Sequence, residues 1–139
     1  MNKNILLIVL VLAFSHLSFA AEKPAPSKPS AYICDNGFHY SEIGKKELAK
    51  VSSDKTAFVI DVNSLESYKK NHVTNAVHFD SIQAQFAKSL PADKNHLIVA
   101  YCGGPKCEAW KKAASEACKL GYTNIKHYKG GIQGWMSRS

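Results

Sequence analysis

The sequence predicts an α/β domain with a mainly parallel sheet and helices on both faces. Short, β-branched apolar runs such as Phe58–Val62 and Leu97–Tyr101 alternate with amphipathic segments, of which residues 107–120 form the clearest helix. Strands that are separated by helices require crossover connections, which favour parallel pairing. Ligands of such sheets bind at the carboxyl ends of the strands, so the residues that follow Tyr101 are of particular interest.

The first 20 residues have the layout of a secretory signal peptide. Lys3 precedes the unbroken apolar run Ile5–Phe14, and the small residues Ser18 and Ala20 occupy the −3 and −1 positions of a cut after Ala20. The apolar run is too short to span a bilayer, which takes about 20 residues. Removing 20 of the 139 residues leaves 119, enough for one domain with a core. We expect an exported protein, in a bacterial periplasm, whose mature form has no membrane contact.

Residues 21–31 are expected to be an extended tether, because they contain three prolines and no large apolar residue. The folded domain is predicted over residues 32–139. Its elements, in order, are a helix at about 43–51 with Ser41 as N-cap, a strand at 58–62, a helix at 64–70 capped by Asn63 or Ser64, a strand at 76–79, a helix at 81–90, a strand at 97–101, a helix at 107–120 followed by Gly121 as the C′ residue, and a strand at 124–128.

The formal net charge of +7 does not indicate a nucleic-acid partner. Arg138 is the only arginine, and the lysines are scattered singly or in pairs. A nucleic-acid surface would favour arginine, which contacts bases and phosphates bidentately. The basic residues are therefore interpreted as a solvated surface with a modest attraction for small anions.

The loop Cys102-Gly-Gly-Pro-Lys-Cys107 carries the predicted chemistry. Cys102 leaves a buried strand and enters a loop before a helix, where unpaired backbone N–H groups favour negative charge. Gly103 and Gly104 are expected to let the backbone curl into an anion-binding nest, Pro105 suits the first helical turn, and Lys106 adds a positive charge. These features lower a thiol pKa, which makes Cys102 the candidate nucleophile.

The sequence resembles the rhodanese-like sulfurtransferase family along about 80 residues. The resemblance is carried by Val59-Ile-Asp-Val-Asn63, by Tyr68 with His72-Val73 and Ala76-Val77, by Leu97–Cys102, and by Gly121-Tyr122-x-Asn124 through Gly130-Gly131-Ile132-x-x-Trp135. It implies a five-stranded parallel sheet and a persulfide on Cys102, taken from a thiosulfate-like or persulfide donor and passed to a thiophilic acceptor. The implied partners are a small sulfur-containing anion and a protein or low-molecular-weight thiol, without a cofactor. N–H groups of Gly103, Gly104, Lys106 and Cys107 would stabilise the persulfide.

The sequence departs from the family pattern at positions that would bind the sulfur donor. Gly103 and Cys107 stand where many family loops have arginine, and Asn63 and Asn71 replace an arginine and a glycine of the pattern. Lys106 remains as the only loop cation, and a lysine cannot bind a sulfonate bidentately. The related phosphatases require arginine at the position of Glu108, an acid that would repel phosphate.

Cys107 is a candidate resolving cysteine. A loop curled around Cys102 could bring the two Cα atoms within disulfide distance, ~4.4–6.8 Å. A disulfide with Cys102 would resolve a persulfide or an oxidised thiol. The alternative is an uncoupled, partly exposed thiol. A metal site is disfavoured, because the loop holds no histidine and its two cysteines do not have zinc-knuckle spacing.

Other residues have mainly structural interpretations. Asp61 is expected to accept backbone N–H bonds near the cysteine loop, His72 to satisfy turn backbone, and Trp135 to pack in the core or a lid. Cys118 is expected to be a buried small apolar residue, whereas Cys34 stays open between a free thiol and a disulfide partner. Three functions remain: a sulfurtransferase using Cys102, a Cys102/Cys107 thiol–disulfide oxidoreductase, and a non-catalytic binding or sensing module.

Overall fold

The structure, a computed structural model, describes residues 39–138. The signal peptide, the tether, the start of the domain at residue 32 and the open question about Cys34 lie outside the described residues. Within the described range, no helix is long and apolar enough to cross a membrane.

Five parallel strands form one sheet, as predicted. The strands are β1 (Ser41–Glu42), β2 (Ala57–Asp61), β3 (Val77–His78), β4 (Leu97–Tyr101) and β5 (Ile125–His127), and their order across the sheet is β1-β5-β4-β2-β3. Strand β4 occupies the centre and pairs with β2 along its whole length, from Leu97 opposite Ala57 to Tyr101 opposite Asp61. The carboxyl end of β4 therefore lies at the middle of the sheet edge where parallel sheets bind ligands.

Helices connect the strands. They are α1 (Lys45–Ser53), α2 (Leu65–Lys70), α3 (Phe79–Ile82), a 3-10 turn (Gln83–Gln85), α4 (Phe86–Ser89), α5 (Trp110–Lys119) and α6 (Gly131–Met136). The alternation of side chains along β4 divides the core between the two faces. Ile98 and Ala100 pack with the α5 side, and Val99 and Tyr101 pack with the α1 side. Both faces are covered, which explains why the strand sequence is apolar without interruption.

Several predicted boundaries need correction. Ser41 lies in the short edge strand β1 and does not cap α1, whose N-cap is Gly44. The predicted helix at 81–90 is broken by the 3-10 turn, and the break brings the rings of Phe79 and Phe86 into edge contact at 5.2 Å. In a continuous helix these residues would stand about 10 Å apart along the axis.

Helix α2 has a predicted N-cap, and helix α5 is followed by the predicted C′ glycine. Ser64 caps α2 by accepting a hydrogen bond from the Ser67 N–H, as one of the two predicted caps. Helix α5 ends at Lys119 with Leu120 as its C-cap, and the next residue, Gly121, has φ +91°. The Gly121 N–H donates to the Cys118 carbonyl (2.8 Å) and the Tyr122 N–H to the Ala117 carbonyl (3.1 Å), the pattern of a Schellman motif. Gly121 is therefore the C′ residue that the sequence predicts.

Gly121→Ala should lower the free energy of unfolding by about 1–2 kcal/mol, because an L side chain is strained at this positive φ. Urea denaturation of the oxidised protein measures the change. Gly121→Asn is the matched control, because asparagine tolerates the left-handed region better and should lose less stability. Equal stability of the Ala variant and the wild type would contradict the role assigned to this turn.

Candidate active site

Strand β4 delivers Cys102 to the centre of the carboxyl edge of the sheet. Cys102 follows Tyr101 directly and is only 2% exposed, as part of the core cluster on the α5 side. The chain then forms an irregular loop, and α5 begins at Trp110 rather than at Cys107 as predicted. The first turn of α5 is closed by hydrogen bonds from the Lys111 N–H to the Glu108 carbonyl and from the Lys112 N–H to the Ala109 carbonyl. The later start leaves Cys107 in the loop.

Cys102 and Cys107 form a disulfide. Their Cα atoms lie 6.2 Å apart, within the distance predicted for a curled loop. Cys102 is buried, whereas Cys107 is partly exposed. The proximity expected of the two cysteines is thus present, and the site is in its oxidised form, in which neither sulfur is a thiolate.

Helix α6 is hydrogen-bonded to the start of the cysteine loop. The Ile132 N–H donates to the Cys102 carbonyl (2.8 Å) and the Gln133 N–H donates to the Gly103 carbonyl (3.0 Å). This docking requires glycine at the start of α6. Gly131 has φ +58°, and a Cβ atom there would lie 2.5 Å from backbone atoms of Cys102, Gly103 and Gly104.

The backbone N–H groups of the loop differ in whether they donate to a protein acceptor. The Cys107 N–H donates to the Gly104 carbonyl (3.0 Å), so in this oxidised form it is not open to an anion. Within residues 39–138, the N–H groups of Gly103, Gly104 and Lys106 donate to no protein acceptor. Three of the four predicted donors therefore remain open to a sulfur anion.

Gly104 gives the loop space beside α6. A Cβ atom there would lie 2.6 Å from the side-chain oxygen of Gln133. Neither Gly103 nor Gly104 has a positive φ, so the backbone curves here without a left-handed residue.

Asp61 is a hydrogen-bonding centre at the carboxyl end of β2, opposite Tyr101. It is fully buried and accepts hydrogen bonds from the Asn63 N–H (2.8 Å), the Asn63 side-chain amide (2.7 Å) and the Tyr101 hydroxyl (2.5 Å). The same hydroxyl accepts a hydrogen bond from the Val73 N–H (2.9 Å). Burial and the hydrogen bond to Asp61 raise the pKa of Tyr101 far above its ordinary value. The expected backbone-accepting role of Asp61 is present, and its partners tie β2, β4 and the segment before β3 together.

His72 is in the position expected of a turn residue. Its Nδ1 lies 2.8 Å from the Tyr68 carbonyl and its ring stacks on that of Tyr68 at 4.2 Å. His72 is exposed and does not line either of the two clefts beside the cysteine loop. The structure therefore gives it no contact with the reacting sulfur.

The first cleft, of about 350 Å³, lies over the cysteine loop. Its lining consists of loop residues and one helix residue, namely Gly103, Gly104, Pro105, Lys106, Cys107 and Gln133. Lys106 is exposed and makes no ion pair with any described residue. Gln133 is a lining residue that the sequence did not reveal. Its place in the sequence, two residues after the Gly130-Gly131 pair, is the signal that could have identified it.

The second cleft, of about 270 Å³, shares Pro105, Lys106 and Cys107 with the first and has an aromatic wall. The rings of Trp110 and His127 stack at 3.8 Å, and Tyr40 meets Trp110 edge-on at 4.7 Å. Burial lowers the pKa of His127 below its ordinary value, which favours the neutral ring. Two exposed ion pairs flank this cleft: Lys111 with Glu108 at 2.8 Å and Lys129 with Glu42 at 3.7 Å.

Trp135 and Cys118 both pack against the core. Trp135 is partly buried against the core cluster on the α1 side, as predicted. Cys118 is buried as predicted and is also disulfide-bonded, so it is not a free core thiol. In the part of the chain that is described, no group of three His, Cys, Asp or Glu side chains is arranged to hold a metal ion.

Comparisons with known proteins agree with this architecture. The family model for the rhodanese-like domain matches residues 44–138, and the chain belongs to this family. Thiosulfate sulfurtransferase GlpE of Pseudomonas savastanoi pv. phaseolicola is 26% identical over 92 residues, covering 66% of this chain and 83% of that protein. The human single-domain sulfurtransferase TSTD1 has a similar structure, with a TM-score of 0.57 and 19% identity over 73% of this chain and 99% of that chain.

The chain also resembles part of a longer protein. tRNA uridine(34) hydroxylase of Wolbachia sp. subsp. Brugia malayi is 30% identical over 92 residues, which cover 63% of this chain but only 33% of that protein. The chain thus spans about a third of the length of this relative. The family match confirms the resemblance seen in the sequence motifs, and the named relatives include a thiosulfate sulfurtransferase.

Gly131→Ala should lower the free energy of unfolding by about 3 kcal/mol, because the added methyl group meets backbone atoms and the positive φ is strained. Gly103→Ala is the matched control, since a Cβ there would lie 3.7 Å from the nearest atom, an ordinary contact. Urea denaturation of both oxidised variants provides the test. Equal losses in the two variants would show that α6 does not depend on this close approach.

Tyr101→Phe should lower the free energy of unfolding by about 1–3 kcal/mol at neutral pH, because Asp61 and the Val73 N–H each lose a buried partner. The variant should also change the response to alkaline pH. The raised pKa means that the folded state retains the hydroxyl proton while an unfolded tyrosine loses it above pH 10.0. Stability conferred by Tyr101 is therefore present below that pH and decreases above it.

Denaturant midpoints of the wild type and Tyr101→Phe between pH 8 and 11 would measure this effect. The wild type should lose stability more steeply above pH 10.0 than the variant. Parallel pH profiles would mean that the Tyr101 proton is not linked to folding.

Proposed function

We propose that the protein is a sulfurtransferase that carries sulfane sulfur as a persulfide on Cys102. The observation that carries the proposal is the position of Cys102 at the carboxyl end of the central strand, beside three loop N–H groups that donate to no described protein acceptor. Such N–H groups can stabilise a thiolate and a persulfide anion as an oxyanion hole stabilises oxygen. The similarity of the chain to a protein named as a thiosulfate sulfurtransferase supports the same chemistry.

The transfer consists of two displacements. The Cys102 thiolate attacks the outer sulfur of a donor such as thiosulfate, a sulfur–sulfur bond of the donor breaks, and sulfite leaves with the bonding electron pair. Cys102 then carries a persulfide anion. A nucleophilic acceptor attacks the outer sulfur of this persulfide and regenerates the Cys102 thiolate.

The charges around the cleft favour no single donor. Lys106 supplies one unpaired cation, whereas the doubly charged thiosulfate ion would gain from a bidentate arginine that this loop does not have. Thiosulfate-like anions and persulfides are both proposed as donors, and protein or low-molecular-weight thiols as acceptors. No cofactor takes part in either displacement.

The disulfide supports a second candidate function, thiol–disulfide exchange at the same pair. The Cys107 thiol can attack the inner sulfur of the Cys102 persulfide, which forms the Cys102–Cys107 disulfide and releases HS⁻. The 6.2 Å separation of the Cα atoms is compatible with this step. In this version the two cysteines reduce the sulfane sulfur and must themselves be reduced before the next cycle.

We propose that the protein acts after export, in the periplasm. The signal-peptide layout of residues 1–20 supports this location. Disulfides persist mainly in oxidising compartments, so the bonded state of Cys102, Cys107 and Cys118 agrees with it.

A thiocyanate assay tests the proposed function. The protein is reduced, freed of reductant and mixed with thiosulfate or a persulfide donor in the presence of cyanide. Cys102→Ser should lower thiocyanate formation by about 10³-fold or more, because the attacking sulfur is lost. Cys107→Ser is the matched control and should retain transfer without the need for prior reduction.

Thiocyanate formation that survives Cys102→Ser would contradict the proposal. Loss of activity in both variants, together with release of sulfide and disulfide formation in the wild type, would favour the exchange function. Absence of both thiocyanate and persulfide with every donor would favour a non-catalytic binding or sensing module.

A further inference from the structure

The two sulfurs of the disulfide are not equally accessible. Cys102 is 2% exposed and lines neither cleft beside the loop, whereas Cys107 is partly exposed and lines both. Thiol–disulfide exchange begins when a thiolate attacks one sulfur, so the accessible sulfur is favoured as the point of attack.

The stability of the departing thiolate also favours attack on Cys107, from which Cys102 leaves. Exchange is faster when the departing thiolate has a lower pKa. The open N–H groups of Gly103 and Gly104 follow Cys102 directly in the chain, whereas the N–H of Cys107 is occupied by the Gly104 carbonyl. Attack on Cys107 would therefore release the sulfur that the loop is built to stabilise as an anion.

The direction of attack distinguishes the two clefts. An incoming thiolate must approach Cys107 roughly in line with the disulfide bond, from the side away from Cys102. The first cleft is formed with Gly103 and Gly104, the immediate neighbours of Cys102. The second cleft shares only Pro105, Lys106 and Cys107 with it and extends toward Trp110 and Tyr40. The second cleft therefore exposes Cys107 without involving either of the loop residues that directly follow Cys102, which favours it as the route of attack.

The second cleft has the character of a protein-contact surface. Tyr40 is 46% exposed and rests on the buried Trp110, which stacks on His127. Ion pairs of both signs flank this aromatic wall. Aromatic side chains in a partly enclosed position, surrounded by polar residues, are typical of the centre of a protein–protein contact.

We infer that a protein dithiol reactivates the oxidised enzyme by attacking the Sγ atom of Cys107 through the cleft beside Tyr40 and Trp110. This inference rests on the proposed function, because it makes the released Cys102 thiolate the sulfur acceptor of the next cycle. It assigns the reductant to the second cleft and leaves the first cleft to the sulfur donor.

The step is a two-electron reduction. The first thiolate of the partner forms a mixed disulfide with Cys107, and the bond between Cys107 and Cys102 breaks with its electron pair on Cys102. The second thiolate of the partner then attacks the partner's own sulfur in the mixed disulfide. Cys107 leaves as a thiolate, and the partner is oxidised to an internal disulfide.

Trapping of the mixed disulfide tests the point of attack. The oxidised protein is mixed briefly with a thioredoxin variant that keeps only its attacking cysteine, and free thiols are then alkylated at acid quench. Peptide mass spectrometry should find thioredoxin linked to Cys107 and the alkyl group on Cys102. Thioredoxin linked mainly to Cys102 would overturn the inference.

A kinetic comparison tests the docking surface. Tyr40→Ala should slow reduction by intact thioredoxin by about fivefold or more, the size expected for an aromatic contact residue, but should leave reduction by dithiothreitol unchanged. Leu65→Ala is the matched control, because Leu65 is 45% exposed and lines neither cleft. Reduction of Tyr40→Ala by thioredoxin at the wild-type rate would overturn the assignment of the cleft.

These outcomes are independent of the sulfur-transfer assay. Neither the trapping experiment nor the reduction rates require a sulfur donor, and the thiocyanate assay uses protein that has been reduced chemically. Normal thiocyanate formation with thioredoxin linked to Cys102 would reject the inference alone. Linkage to Cys107 without any transfer activity would reject the proposed function alone.

Discussion

The active-site loop depends on the close approach of two backbone segments that are far apart in sequence. The carbonyl groups of Cys102 and Gly103 accept hydrogen bonds from the first turn of α6, and only a glycine at position 131 permits this distance. The contact fixes the path of the loop directly after the central strand. The orientation of Cys102, the cleft over the loop and the exposure of Cys107 all follow from that path.

A second constraint holds the carboxyl ends of β2 and β4, where the loop begins. The buried Asp61 carboxylate binds Asn63 and Tyr101, and Tyr101 in turn holds the backbone before β3. A buried carboxylate is tolerated only when its lone pairs are satisfied, so these partners must stay in place. The reactive edge of the sheet is thereby held by local hydrogen bonds rather than by the hydrophobic core alone.

The sequence predicts much of this arrangement and misses identifiable parts. Strand β4 was predicted with its observed bounds, because Leu97–Tyr101 is an uninterrupted apolar run buried on both faces. Helix α6 was missed, because two of its six residues are glycines and its stability comes from docking on the loop. The role of Gln133 was hidden for the same reason. The disulfide could be proposed from the spacing of two cysteines, but its formation depends on a loop path that the local sequence does not encode.

We propose that Cys102, once released from its disulfide, accepts the transferred sulfur. Peptide mass spectrometry of the full chain after exposure to a persulfide donor, with the oxidised and the reduced protein compared, is the decisive measurement. The Cys102 peptide of the reduced protein should gain the mass of one sulfur atom, and the oxidised protein should gain none. Sulfur bound mainly to Cys107, or bound equally in both forms, would show that Cys102 is not the acceptor.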